Sequence, residues 1–432
     1  MSPVQVGIAG CIFLFALLFS SMPVAFAMIT AGAAGFAVIV TPQAALSMLA
    51  ADIFDTFSSY NLTVIPLFVL MGQVSFHAGI STRLFKSAYT WIGHLPGGLA
   101  MATVGACTGF AAISGSGPAT AATMASVALP EMRRYSYSDE LAGGAVAAGG
   151  SLGMLIPPSV VFIVYALMTE QSIGALFLAG IIPGILIALL FCLSIGIRCT
   201  IHKDLGPPGP KATWKERFQS LNGVFETLVL FVSVMGGMFL GFFTPIEAAA
   251  IGAAGSLIIA CVKKSMNLAV LKKVILETVR TSSMVFFIVT GAVIFGRFLA
   301  VSRIPFAAAE WFTALPLPGF AVMFLIILFF LISGCFIDAL ALILLTIPIF
   351  YPVIVELGYD PVWFGVIVVV ITQMGVITPP VGVNVYVVSG IERDIPLQTI
   401  FRGALPFLYM LITAAVLLVL FPHISLFLPG LR

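Results

Sequence analysis

Charged residues are scarce in this chain of 432 residues: Asp, Glu, Lys and Arg together make up only 8% of it. A soluble domain usually carries about a quarter of its residues as charged side chains. Hydrophobic residues account for 61%, which is more apolar surface than a water-soluble protein of this size could bury. Lipid must therefore be the main solvent, and we expect the bilayer, and no nucleic acid, among the partners of the chain.

The chain also lacks the usual marks of a secreted protein, a metalloprotein or an enzyme. Its six cysteines are scattered through apolar runs without a CxxC pair, and there is no HExxH motif. The first apolar run has neither a basic segment before it nor a small-residue cleavage site, which indicates a retained helix rather than a signal peptide. We expect no enzymatic activity and no cofactor other than a coupling ion.

Long apolar runs take the place of these features. Runs long enough to cross about 30 Å of hydrocarbon lie near residues 4–20, 22–41, 60–76, 139–168, 174–199, 222–240, 245–262, 281–298, 361–390 and 404–424. Two more stretches, 96–130 and 318–353, are interrupted halfway by small and polar residues. Their short limbs and uncharged tips favour re-entrant hairpins over pairs of full spans. The sequence therefore predicts an all-α polytopic membrane protein with about ten spanning helices.

The distribution of Lys and Arg predicts the orientation of these helices. Ten of the nineteen basic residues lie in segments 198–217 and 263–280, which are separated by two predicted spans and so share one face. Because loops rich in Lys and Arg stay on the cytoplasmic side, this face is predicted to be cytoplasmic. The prediction is a multi-pass protein with both termini outside the cytoplasm, which means the periplasm for the bacterial inner membrane that the family resemblance given below implies.

Short motifs recur between the two halves of the chain. Gly32-Ala33-Ala34-Gly35 returns at 252–255, Ser114-Gly115 returns at 333–334, and the Gly-to-Pro-Pro segment at 153–158 returns at 375–380. The matches occur in the same order in both halves, and their offsets all lie between 219 and 222 residues. Short chance matches would not show such a regular spacing. The halves are therefore predicted to be structural repeats.

Each predicted repeat holds five spans and one hairpin, and an odd number of spans turns the second repeat upside down. The first repeat is predicted at 1–205, with its hairpin at 96–130 and a broken helix at 139–168. The second is predicted at 218–432, with its hairpin at 318–353 and a broken helix at 361–390. Inverted repeats with broken helices are typical of secondary transporters, in which the breaks form the binding site.

The breaks should carry the chemistry, because irregular backbone at membrane depth is tolerated only where it is buried or lines a cavity. Prolines at the breaks free carbonyl oxygens that suit Na⁺, the only metal ion expected here. One Na⁺ site is predicted per repeat. The candidate ligands are Ser114, Gly115, Ser116, Gly117, Gly150, Ser151, Gly153, Ser333, Gly334, Asp338, Thr372, Gly375, Thr378 and Pro379.

An organic anion is predicted to bind at the same breaks, where half-helix N-termini offer N–H donors and a positive dipole end. The candidate residues are Ser116, Pro157, Pro158, Pro380, Gly382 and Asn384. Two interpretations of Asp338 stay open: its carboxylate helps to bind a cation, or it accepts loop N–H groups and holds the shape of the hairpin tip. A bulky side chain at Gly115 or Gly334 is expected to abolish sodium dependence by closing the backbone approach.

Three runs resemble a known family. GFAAISGSGPATAATMASVALPEM at 109–132, TPIEAAAIGA at 244–253 and ITPPVGVN at 377–384 are similar to the large membrane subunit of tripartite ATP-independent periplasmic (TRAP) transporters. The resemblance covers essentially the whole chain. It implies an elevator-type transporter whose hairpins and broken helices slide against a static scaffold.

The same resemblance implies function and partners. It implies secondary active, sodium-coupled uptake of an organic acid such as a dicarboxylate or sialic acid. The implied partners are a small four-helix membrane subunit, encoded as a separate polypeptide, and a soluble periplasmic binding protein that delivers the substrate. Two alternatives stay open: a sodium–dicarboxylate symporter that needs no binding protein, and an ion channel, because re-entrant loops also build selectivity filters.

Overall fold

The computed structural model describes residues 2–314 and 317–431, and within these ranges the secondary structure is helical, without strands. The α-helices are α1 (Pro3–Phe19), α2 (Val24–Ile39), α3 (Pro42–Ser58), α4 (Val64–His77), α5 (Ile80–Ile92), α6 (Gly98–Ser114), α7 (Gly117–Arg134), α8 (Asp139–Ser151), α9 (Val160–Thr169), α10 (Ile173–Ile201), α11 (Trp214–Ser220), α12 (Asn222–Phe231), α13 (Gly237–Phe239), α14 (Pro245–Val262), α15 (Leu268–Ser302), α16 (Ile304–Ala314), α17 (Gly319–Gly334), α18 (Ala339–Glu356), α19 (Pro361–Gly375), α20 (Val383–Ile391), α21 (Leu397–Leu420) and α22 (His423–Leu426).

The helices of the described chain fall into long and short apolar classes. Six are long and apolar enough to cross a membrane, and a seventh crossing results if the bent pair Pro42–Ser58 and Tyr60–His77 counts as one span. Six further apolar helices have only 10–17 residues. The runs predicted at 139–168 and 361–390 each divide into two shorter helices, α8 with α9 and α19 with α20, because Gly and Pro residues interrupt the helical hydrogen bonds midway. The chain is thus an all-helical, multi-pass membrane protein.

Packing divides the helices into two groups. In the first, which we name the scaffold group, α1 to α4 pack with α14 and α15, chiefly through the pairs α2–α15 and α4–α14, and α11 to α13 join this group through contacts of α12 and α13 with α14. The second, the hairpin group, consists of α6 to α10 and α17 to α22. The two sets pack on each other chiefly through α8–α21, and the main pairs within the sets are α7–α8 and α17–α19. Helices α5 and α16 connect the groups and pack against α6 and α18 respectively. Neither α5 nor α16 was among the predicted apolar runs.

Side-chain caps determine where the half-length helices begin. Ser116 caps α7 by accepting the backbone N–H of Ala119, and the Asp338 carboxylate caps α18 by accepting the N–H of Leu340. In the scaffold group, Thr244 and Glu247 form a capping box at the start of α14. Such caps satisfy N–H groups that have no partner inside the helix. The starts of α7 and α18 are therefore fixed by local sequence.

Helices α8 and α21 make the closest backbone contact of the hairpin group among the described glycines. A methyl group built on Gly144 would lie 2.2 Å from the carbonyl carbon of Gly403, and one built on Gly403 would lie 1.8 Å from the carbonyl oxygen of Glu140. Only glycine leaves room for two helix backbones at this distance. This contact joins the first broken helix to the last long helix of the chain.

Tyr137 connects three segments at the turn between α7 and α8. Its phenol accepts the backbone N–H of Leu99 at 3.1 Å and donates to the carbonyl oxygen of Pro207 at 3.0 Å. Burial raises the pKa of Tyr137 to about 12, so the hydroxyl remains a donor throughout the neutral range. Tyr137 thereby joins the start of α6 to the segment that follows α10.

We expect Tyr137→Phe to lower the free energy of unfolding by about 1–3 kcal/mol, because it leaves the Leu99 N–H and the Pro207 carbonyl without their buried partner. Thermal unfolding of the purified protein in detergent measures this change. Tyr409→Phe is the matched control, since the Tyr409 side chain is largely exposed. Equal stability of the two variants would refute the proposed role of the Tyr137 hydroxyl.

Candidate functional site

The tip of the first hairpin lies against the first helix break. The carbonyl oxygen of Gly115 accepts the backbone N–H of Val160 at 3.2 Å. Gly115 has φ +62°, and a methyl group there would lie 2.6 Å from the carbonyl oxygen of Pro158. A methyl group on Gly153 would likewise lie 2.5 Å from the carbonyl oxygen of Ser116. Glycine is therefore required on both sides of this contact.

Hydroxyl groups surround the first tip. The Ser114 and Thr120 hydroxyls are 2.7 Å apart, and Thr120 also donates to the carbonyl oxygen of Ser116 at 2.8 Å. Ser151, at the end of α8, donates its hydroxyl to the carbonyl oxygen of Ala148. A hydroxyl whose proton is committed in this way turns lone pairs outward, which is the geometry that a cation needs.

The tip of the second hairpin meets the second helix break in the same manner. The Val381 N–H donates to the carbonyl oxygen of Cys335 at 3.2 Å, and a methyl group on Gly375 would lie 2.4 Å from the carbonyl carbon and oxygen of Gly334. The Thr372 and Thr378 hydroxyls both donate to carbonyl oxygens of α19. The peptide bonds Pro157–Pro158 and Pro379–Pro380 are both cis.

Two predicted ligands of the second site have structural contacts. The carbonyl oxygen of Ser333 accepts the N–H groups of Phe336 and Ile337, so it already closes the turn at the tip. The Asp338 carboxylate caps α18, as described above. Asp338 therefore does hold the shape of the tip, and its possible contact with a cation stays a prediction.

A cavity of about 420 Å³ lies between both hairpin tips and the scaffold group. Of the predicted residues, those that line it belong to the first tip (Ser114, Gly115, Ser116 and Gly117) and to the start of α18 (Asp338). On the scaffold side it is lined by residues of α4 and α15, including Gln73, Glu277 and Thr281. Residues of both hairpins thus face one shared space.

The other predicted residues lie outside this cavity lining. Gly150, Ser151, Gly153, Thr372 and Gly375 are buried within the helix breaks. Gly334 packs against Gly375 and Thr372. Ser333 and Thr378 are half-buried, and Pro379 is exposed. Of the residues predicted to hold the anion, only Ser116 lines the cavity; Pro157, Pro158, Pro380, Gly382 and Asn384 do not.

Asn384 and Gly382 have packing contacts instead. The Asn384 side chain is fully buried and donates to the carbonyl oxygen of Ala147 at 3.0 Å, which joins α20 to α8. Gly382 has φ +57°, and a methyl group there would lie 2.6 Å from the Phe401 ring. The sequence motif around these residues therefore also serves the packing of the broken helix.

Three polar residues at the site were absent from the sequence prediction. Glu277 lines the cavity, and its carboxylate lies 3.1 Å from Nε2 of His77. Gln73 also lines the cavity. Its segment Met71-Gly72-Gln73-Val74 aligns with residues 290–293 at the same offset of 219 residues as the Ser-Gly motif, and this recurrence was the available signal. Gln373, beside the second break, is fully buried, and neither of its side-chain polar atoms has a hydrogen-bond partner in the described chain.

The electrostatic character of the cavity follows from its lining. Its ionisable lining residues are Glu277 and Asp338, and no Lys or Arg is among them. An anion in this space has backbone N–H groups at the start of α7 as favourable neighbours, and it also meets two carboxylates. The arrangement suits a cation, or an anion accompanied by cations, better than an anion alone.

Comparison with known proteins agrees with this architecture. Residues 11–424 match the family model "Tripartite ATP-independent periplasmic transporter, DctM component". The chain is 40% identical, over 88% of its length and 89% of the relative's, to the C4-dicarboxylate TRAP transporter large permease protein of Pseudomonas aeruginosa. It is 37% identical to the sialic acid TRAP transporter large permease protein of Vibrio cholerae, over 96% of both chains.

A solved structure supports the fold alone. The YdaH transporter of Alcanivorax borkumensis superposes with a TM-score of 0.61 over 98% of both chains, at 15% sequence identity. The family match and the two relatives cover nearly the whole chain, and these relatives are transporter permeases rather than enzymes. The chain belongs to the family of large membrane permeases, the DctM component, of tripartite ATP-independent periplasmic transporters.

Proposed function

We propose that this chain carries an organic acid into the cell with Na⁺, by an elevator movement of the hairpin group along the scaffold group. The observation that carries the proposal is the cavity that residues of both hairpins and of the scaffold wall line together. A substrate held at the tips would travel with the hairpin group, because the tips are packed onto its broken helices. Inverted repeats of this kind commonly move as rigid bodies around a fixed site.

The charges of the cavity support coupling to a cation. A carboxylate substrate placed between Glu277 and Asp338 would be repelled unless positive charge accompanied it. The carbonyl and hydroxyl oxygens of the two tips are hard ligands of the type that Na⁺ prefers. Two bound Na⁺ ions, one at each tip, would supply the missing positive charge and thereby make anion binding depend on sodium.

The weakness of the membrane site supports a soluble partner. Each helix N-terminus offers an anion about 0.3–1 kcal/mol, too little to capture a dilute substrate. A soluble periplasmic protein that binds the acid tightly would relieve the membrane site of this demand. We therefore propose delivery by such a protein. The family membership supports a small four-helix membrane subunit as a second partner, and the distribution of Lys and Arg supports an inner-membrane orientation with both termini in the periplasm. The two relatives described above are named for C4-dicarboxylates and sialic acid, and a carboxylate of this kind is the proposed substrate class.

Reconstitution tests the proposal. The chain and its small membrane partner are placed in liposomes under an inward sodium gradient, and uptake of a labelled acid is followed with and without the cognate binding protein. Saturable uptake that requires both sodium and the binding protein is expected. Equal uptake without the binding protein would indicate the alternative sodium–dicarboxylate symporter, and currents that do not saturate would indicate a channel.

Asp338→Asn separates the capping role of Asp338 from its charge. Asparagine caps a helix about as well as aspartate, so folding should be retained. Loss of the carboxylate charge should raise the sodium concentration for half-maximal uptake about tenfold, the equivalent of about 1.4 kcal/mol. Asp338→Ala should in addition lower stability through loss of the cap. An unchanged sodium dependence in the asparagine variant would leave Asp338 with the structural role alone.

A further inference from the structure

Helix α5 is joined to the scaffold group along one face. Arg83, Ser87 and Trp91 follow one another at intervals of four residues, so their side chains point in nearly the same direction. Arg83 donates to the Glu226 carboxylate at 2.7 Å, the Ser87 hydroxyl lies 3.2 Å from that of Ser220, and the Trp91 indole donates to the carbonyl oxygen of Arg217 at 3.1 Å. All three partners belong to α11 and α12 of the scaffold group.

Glu226 is the centre of this attachment. Its side chain is largely buried, one carboxylate oxygen pairs with Arg83, and the other lies 2.7 Å from the Lys263 amine at the end of α14. Arg83 also donates to the carbonyl oxygen of Ala78, immediately before Gly79, whose φ of +72° turns the chain from α4 into α5. A buried carboxylate with two cationic partners fixes both ends of this turn to the scaffold group.

Beyond α5, two crossings of the chain between the groups lie side by side. Residues 93–97 lead from α5 into α6, and residues 202–213 lead back from α10 to α11. The Gly209 N–H donates to the carbonyl oxygen of Gly93 at 2.8 Å, and the Gly97 N–H donates to that of Gly206 at 2.9 Å. Gly97 has φ +71°, which a side chain would disfavour. The two connecting segments are thus paired through their backbones.

We propose that these paired segments form one shared hinge, and that α5 is a fixed part of the scaffold with Glu226 as its positioning residue. When the hairpin group moves, the change of backbone direction falls on 93–97 and 206–209, and α6 slides along α5. This inference rests on the proposed elevator movement. It assigns the moving joint of the two crossings next to α5 to this place, and the crossing through α16 is a separate connection.

Two disulfide locks on neighbouring residues of α5 test the proposal. Ser87→Cys with Ser220→Cys ties α5 to the scaffold, at a site where the hydroxyls are already 3.2 Å apart. Ala88→Cys with Gly105→Cys ties α5 to the first hairpin, because a Cβ on Gly105 would lie 3.8 Å from the Cβ of Ala88, which is a usual spacing for a disulfide. Both pairs are made in a transport-competent background whose six native cysteines are replaced.

Sodium-driven uptake is measured for each pair in the complete system, before and after oxidation, and mass spectrometry quantifies the cross-link. Oxidation of the 87–220 pair should leave uptake unchanged, and oxidation of the 88–105 pair should stop it and reduction should restore it. The reverse pattern, or loss of uptake in both pairs, would overturn the inference and leave the elevator intact. Unchanged uptake after oxidation in both pairs would contradict the proposed elevator movement, and this inference would fail with it.

Glu226→Gln adds a second readout. Loss of the charge should loosen α5 from the scaffold group, so cross-linking of the 87–220 pair should become slower by several fold while that of the 88–105 pair keeps its rate. A variant that merely unfolds would lose both cross-links. Equal rates with and without the substitution would show that Glu226 does not position α5.

Discussion

Substituting Gly375 with alanine should abolish sodium-stimulated uptake while the chain remains in the membrane. The new methyl group would lie 2.4 Å from the carbonyl carbon and oxygen of Gly334, so the second hairpin tip must move away from its helix break. Ligands of a binding site have to be held within about 0.5 Å of their working positions. A shift large enough to relieve this contact exceeds that tolerance, and the second proposed Na⁺ site would be lost.

Gly334→Ala is the matched control on the opposite side of the same contact. A methyl group at Gly334 would have its nearest neighbours at 3.6 Å, which is an ordinary van der Waals distance, so uptake should be nearly unchanged. The sequence-based expectation of lost sodium dependence concerns a bulky side chain at Gly334, and it stays a prediction because alanine adds only a methyl group. Uptake is measured over a range of sodium concentrations, and similar loss in both variants would contradict the proposed asymmetry.

Gly403→Ala should lower the free energy of unfolding more than a methyl group at any of the other glycines described above. The added carbon would lie 1.8 Å from the carbonyl oxygen of Glu140, and the facing residue Gly144 leaves no flexible side chain that could yield. Helices α8 and α21 would have to separate, at a cost of about 3 kcal/mol or more, the upper end of the effects of overpacking. Folded yield and thermal unfolding in detergent measure this loss.

Gly296→Ala serves as its control. Gly296 also lies within a long helix, α15, but a methyl group there would meet no atom within 4 Å. Alanine is the better helix former by about 1 kcal/mol, so the control should be at least as stable as the parent chain. If Gly403→Ala unfolds at the same temperature as Gly296→Ala, the close approach of α8 and α21 is not a determinant of stability.

Local signals in the sequence predicted the hairpin tips and the helix breaks well. Ser116 and Asp338 stand where a helix-capping residue is needed, and proline pairs stand where a helix must be interrupted. Both kinds of signal act over three or four residues, so they can be read without knowledge of the fold. The inverted relation of the two halves and the identity of the Na⁺ ligands stay predictions, because they depend on the bilayer and on bound ions.

The scaffold wall of the cavity could not be predicted in this way. Glu277 and His77 are 200 residues apart in the chain, and only the packing of α4 and α15 in the scaffold group brings them together at 3.1 Å. The polar face of α5 was missed for a related reason. Its Arg83 and Ser87 interrupt the apolar pattern, and their partners on α11 and α12 lie more than 130 residues away.

The sequence by itself determined that this protein resides in a membrane, that it is helical, and where its helices break, because composition and short-range capping act before any tertiary contact forms. Only the tertiary structure decided which broken ends meet, that both tips share one cavity, and which glycine of a facing pair leaves no room for a methyl group. The physical reason is that close backbone approach depends on the direction of each Cα–Cβ bond. Gly334 and Gly375 are the same residue type, each in a motif that recurs between the halves, and their orientation in space decides which of them has room for a methyl group.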